Sequence, residues 1–174
     1  MGAPRSPTPK ISPSDRPSPL GIVGATWGIL GVIGLLGQAI VRLGAASLGA
    51  LRMPWAWYHS AFIIVWIPLM VFSEGYHGFQ RGFSPRVAAR AADLCARPTA
   101  LRVALAPLFC IGYFGIERRN QLLILGITAV MLGLVVLIHT VPQPWRGAID
   151  LGVIAGLLWG VIALVVYVTR GLKK

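Results

Sequence analysis

An all-α integral membrane protein is the fold class this sequence predicts: four transmembrane helices, a cytoplasmic amphipathic helix, and a short re-entrant or interfacial segment between the second and third spans. Three observations predict it. The composition is 56% hydrophobic and only 12% charged, with a mean hydropathy of +0.73, too apolar for an ordinary soluble domain. The apolar residues fall in runs close to the ~20 that a helix needs to cross the hydrocarbon layer. The 16 Lys and Arg are gathered in the short connections between those runs, the pattern that the positive-inside rule produces. At 174 residues the chain has room for one domain of four or five spans.

The same distribution excludes a nucleic-acid partner. A net charge of +11 would fit one, but the basic residues do not form a single soluble face. The two cysteines, Cys95 and Cys110, share no spacing that forms a disulfide framework or a zinc motif; they read as small packing residues.

The chain opens on a tail, residues 1–20, with Pro at 4, 7, 9, 13, 17 and 19. That density opposes a helix and favours a disordered, solvated coil. Its Arg5, Lys10 and Arg16 against a single Asp15 place it on the cytoplasmic side. The first span is expected over about 21–41, where Gly24, Gly28 and Gly31 fall on one helix face. Small residues at that spacing let another backbone approach closely, which is how helices pack in lipid. Pro54 marks a new start, and the second span, about 55–73, opens on Trp55, Trp57 and Tyr58, an aromatic belt at a membrane boundary. Pro68 inside it predicts a kink.

Residues 73–102 form the longest polar interruption. Its first part is glycine- and aromatic-rich and reads as a turn; Ser84-Pro85 then predicts a helix start, and 84–97 a short amphipathic helix on the cytoplasmic surface. Arg86, Arg90 and Arg97 share a face there and are placed against lipid phosphates. Residues 103–116 are apolar but only 14 long, about 21 Å as a helix and short of the hydrocarbon thickness. Charge decides their placement. Four spans put thirteen Lys/Arg inside and three outside, whereas a fifth span here would make it nine and seven. The third span is expected over about 121–141 and the fourth over about 148–169, where Gly152, Gly156 and Gly160 make two successive small-xxx-small steps. The basic end at 171–174 keeps the C-terminus cytoplasmic, so the expected location is the plasma (bacterial inner) membrane with both termini inside.

Chemistry has few places to reside. No Asp, Glu, Lys or Arg lies well inside a predicted span, which counts against ion-coupled transport. No Ser-His-Asp pattern, P-loop or dinucleotide fingerprint is present, so nothing points to an enzyme. His59 and His139 are predicted at similar depth near the same side of the membrane, where opposed imidazoles can hold a haem iron or other metal; two unlinked histidines fit interfacial capping of the helix ends better. Glu74, His77 and Arg81 follow the i, i+3, i+7 spacing that faces one way on a helix. A carboxylate, an imidazole and a guanidinium together suit a lipid or quinone head group, with an interfacial ion cluster as the plain alternative.

The resulting expectation is a small accessory or structural subunit of a membrane complex that packs through its glycine-lined helices and binds lipid or pigment. Its partners are membrane lipids and other membrane subunits or further copies of itself. The alternatives are a haem-, quinone- or lipid-binding protein using His59/His139 or Glu74/His77/Arg81, and, third, a small-solute channel or carrier.

Overall fold

The computed structural model describes residues 18–171. The expected disordered tail, apart from its last residues, and the basic end at 172–174 lie outside the described residues. Among the described residues the structure is helical throughout, with no strand. Four helices are long and apolar enough to cross a membrane: Pro19–Leu51, Trp57–Ala96, Arg118–His139 and Trp145–Arg170. The chain is a multi-pass membrane protein.

Helix α1 spans Pro19–Leu51. Its start is set by chemistry at the end of the proline-rich stretch: the Ser18 hydroxyl accepts the Gly21 N–H at 3.1 Å, and Pro19 occupies a first-turn position where no N–H is needed. At 33 residues it is about 50 Å long, well beyond the hydrocarbon thickness.

The second long helix is where structure and sequence reading part. The sequence predicts a break after Ser73 and a fresh start at Ser84, yet one helix continues from Trp57 to Ala96. It comprises α2 (Trp57–Met70), a π-helical stretch (Val71–Phe83) and α3 (Ser84–Ala96). The π stretch pairs each N–H with the carbonyl five residues back, as Ser84 does with Phe79. This wider turn carries Gly75, Gly78 and Gly82 without ending the helix. Pro85, which has no N–H to give, falls in the first turn of α3.

Two short helices follow, α4 (Ala100–Ala104) and α5 (Ala106–Ile111), then a turn that leads into α6 (Arg118–His139). Gly112 and Gly115 in that turn have φ of 106° and 70°, values that side-chain-bearing residues rarely adopt. A second connection, containing a cis Gln143–Pro144 bond, leads to α7 (Trp145–Gly171).

Helix α7 is the centre of the packing. It runs antiparallel to α1, with Gly147 against Ala50 and Leu164 in a cluster with Val32. It runs parallel to the second long helix, with Trp66 on Gly152 and Phe79 on Gly160. The core consists of Val32, Val87, Ala91, Cys110 and Leu164, and beside it Leu94, Ala106 and Phe109. Burial pushes the Cys110 thiol up to about 11, only partly opposed by the neighbouring Arg90 charge.

Both glycine faces are filled by the chain itself. On α1, a Cβ at Gly24 would stand 2.8 Å from Val103 and one at Gly28 2.7 Å from the Cys110 sulfur, while Gly31 lies under the Pro107 ring. On α7, a Cβ at Gly160 would stand 2.5 Å from the Phe79 ring, and Gly152 lies under Trp66. In lipid, where tails are as apolar as side chains, such close contact supplies the packing energy through dispersion. The sequence reading gives these faces to other membrane helices; in the structure they receive the 103–116 segment and the second long helix.

Helix α6 differs. None of its residues is buried. Its contacts run along one stripe facing the 112–117 turn: Gln121 Nε2 donates to Tyr113 O at 2.8 Å, Ile124 lies on Gly112, and the Tyr113 and Thr128 hydroxyls are 2.9 Å apart.

Candidate functional site

The residues with chemistry to offer fall in three places. The first is the end of the bundle that holds the α1–α2 and α6–α7 connections. His59 is 4% exposed there, with ring centroids 4.3 Å from Tyr58, 4.8 Å from Trp145 and 5.7 Å from Trp55. Its Nδ1 accepts the Ala56 N–H at 3.1 Å, so in the neutral ring the proton belongs to Nε2. The imidazole thereby closes the first turn of α2. His139 ends α6 in the open, with Nδ1 2.7 Å from Val135 O. Both histidines lie toward the same end, but one is enclosed by aromatic rings and the other exposed. His139 must donate its Nδ1 proton to the Val135 carbonyl, which leaves its Nε2 lone pair free, whereas the Nε2 of neutral His59 carries the ring proton and can only donate. Among the described residues no group of three or more His, Cys, Asp or Glu is placed to hold a metal.

Beside them lies a pair that the sequence reading passed over. Asp150 is 2% exposed, and its Oδ2 is 3.9 Å from Arg146 Nε. Neither atom has a hydrogen-bond partner. The i, i+4 spacing of Arg146 and Asp150 was visible, but burial comes from α1, which meets α7 at Gly147, and no pattern in the sequence announces that contact.

The second place is the π stretch. The expected common face of Glu74, His77 and Arg81 does not form, because π pairing changes the angle between successive residues. Glu74 turns inward to α7, where a Cβ at Gly156 would stand 3.2 Å from its Oε2. That oxygen is buried and has no partner. His77 and Arg81 are exposed and share the ring of Tyr76 instead: the imidazole lies edge-on at 5.2 Å and the guanidinium 4.9 Å from the centroid. Further along, Trp159 of α7 covers Gly75 and donates its indole N–H to Gln80 Oε1 at 2.9 Å. Two side chains therefore face outward and one faces in.

The third place is the end where α3 meets the 112–117 turn. Arg90, assigned from sequence to lipid phosphate, is half-buried. Its Nε donates to Phe109 O, its Nη2 donates to Phe114 O at 2.6 Å, and the guanidinium lies 4.2 Å over the Phe109 ring. These bonds take up one carbonyl in the last turn of α5, which the helix leaves unpaired, and one in the turn that follows it. Arg86 and Arg97 on the same helix are exposed, and Arg86 Nε donates to Gly82 O at 2.7 Å. Arg102 stands 3.7 Å from Asp93.

No family model, no curated protein and no solved structure matches this chain. Function is therefore argued from these sites alone.

Proposed function

We propose that this chain is a small structural subunit of a membrane assembly and that it docks through α6. One observation carries the reading: α6 has the most apolar membrane-crossing stretch of the four long helices, and none of its residues is buried within the chain. Its contacted stripe is Gln121, Ile124 and Thr128; Gly126, Ala129 and Gly133 lie on the opposite side at helical spacing. Gly126 and Gly133 have open space around the position of a Cβ. A groove on the outward side is lined by Leu122, Leu123, Gly126, Ile127, Val130 and Met131, with Arg119 at one end. Another transmembrane helix fits that face, with Arg119 left for a lipid phosphate.

The charge distribution supports a bacterial inner-membrane setting with both termini cytoplasmic. In that orientation α3 and its exposed Arg86 and Arg97 lie on the cytoplasmic side, and 103–116 enters along the glycine face of α1 and returns to the side it came from. Photo-crosslinking in native membranes tests the docking reading. A photoreactive residue at Gly126 or Gly133 is expected to give one discrete protein adduct, and the same residue at Thr128 none. Adducts to lipid alone from all three positions would overturn it.

A further inference from the structure

Glu74 stands apart from the other acids. Of the chain's five, Asp93 faces Arg102 at 3.7 Å, Asp150 faces Arg146 at 3.9 Å, Glu117 is exposed before α6, and Asp15 lies outside the described residues. Glu74 Oε2 is buried, with no hydrogen-bond partner and no cation within ion-pair distance among the described residues, while the side chain as a whole is half-buried. The groups at the contact are neutral: Gly156 and the Met70 carbonyl, with Trp159 against the adjacent Gly75. The cations within reach along the helix are committed elsewhere. Arg81 lies over Tyr76, Arg86 is bonded to Gly82 O, and Arg90 holds Phe109 O and Phe114 O. His77 rests between Phe72 and Tyr76 on the outside. Gly156 makes the contact available, since a Cβ there would press on both Oε2 and the Glu74 Cβ, at 3.2 and 3.4 Å.

We infer that Glu74 is a proton-binding site set into the contact between the π stretch and α7, on the geometry of a carboxyl closed against Gly156 with no charge facing it. An ionised carboxylate with a buried, unpaired oxygen is expensive in apolar surroundings. Release is simple acid dissociation: the O–H bond breaks, the electron pair stays on the carboxylate, and water takes the proton as hydronium. Water is close: Glu74 lies about 26 Å along the helix from Trp57, near the far limit of a hydrocarbon layer ~30 Å thick. The π turn adds a segment whose hydrogen bonding already departs from the α pattern, a feature often found at functional sites.

Carbodiimides test this, because they add to the protonated acid: the carboxyl oxygen bonds to the central carbon and the proton passes to nitrogen. The full chain in mild detergent is treated with apolar dicyclohexylcarbodiimide or with a water-soluble carbodiimide, and the acids are mapped by mass spectrometry. The apolar reagent is expected to modify Glu74 several-fold faster than Asp93, Glu117 or Asp150, and the water-soluble reagent to reverse that order against Asp93 and Glu117. Glu74 modification should fall as pH is raised. Glu74→Gln should lose the adduct and keep its elution position. Gly156→Ala, which crowds the carboxyl, should lower the rate at Glu74 and leave Glu117 unchanged. Equal reaction of Glu74 and Glu117 with the water-soluble reagent, or no apolar adduct at Glu74 at any pH, overturns the inference.

Discussion

Helices α6 and α7 are nearly equally apolar over their membrane-crossing stretches, yet no residue of α6 is buried in the chain while a third of the α7 stretch is. Both carry glycines at helical intervals. On α7, Gly152, Gly156 and Gly160 each lie under a side chain of the second long helix; on α6, Gly126 and Gly133 meet nothing within 4 Å. The difference shows that hydropathy decides whether a helix enters the membrane and says nothing of what it packs on there. In lipid, packing depends on shape, and shape belongs to pairs of helices.

The comparison can be broken at its strongest contact. Gly160→Leu drives a branched side chain into the Phe79 ring, where even a Cβ would stand at 2.5 Å. It is expected to destabilise the fold by about 3 kcal/mol or more, a large share of a typical margin, and to read out as aggregation or lost recovery in detergent. A smaller effect comes from the attachment of α6. Arg90→Ala removes two charged hydrogen bonds that hold the turn carrying Tyr113, and should cost about 2 kcal/mol in thermal unfolding. Arg90→Lys should recover only part of it, because an ammonium cannot reach two carbonyls as a planar fork does. The smallest effect sharpens the contrast: Gly133→Leu should change folded stability by no more than about 0.5 kcal/mol, since its side chain meets open space. A loss comparable to that of Gly160→Leu would mean that α6 packs against the bundle after all.

Composition and charge were enough to make the four long apolar helices legible. The glycine spacings marked close-packed faces on α1 and α7 but could not name the occupant. Gly28 looks the same from sequence whether it receives Cys110 of its own chain or another protein. The π stretch was hidden because glycines at 75, 78 and 82 signal a turn under α-helical energetics, and nothing in a one-dimensional pattern marks a five-residue pairing. Arg90 looked like its neighbours Arg86 and Arg97 because only the folded turn offers it Phe109 O and Phe114 O. The inward turn of Glu74 depends on both unseen features at once, the changed helical angle and the space at Gly156.

The Arg90 contact has a consequence for conditions rather than for shape. A guanidinium keeps its charge across the physiological pH range, and a peptide carbonyl has no charge to screen or titrate. The fastening of the 112–117 turn should therefore hold nearly unchanged through swings of acidity and ionic strength. The exposed Arg102–Asp93 pair beside it, at 3.7 Å, loosens in high salt and is lost once the carboxylate is protonated. This end of the bundle thus has one fastening that ignores its solvent and one that responds to it.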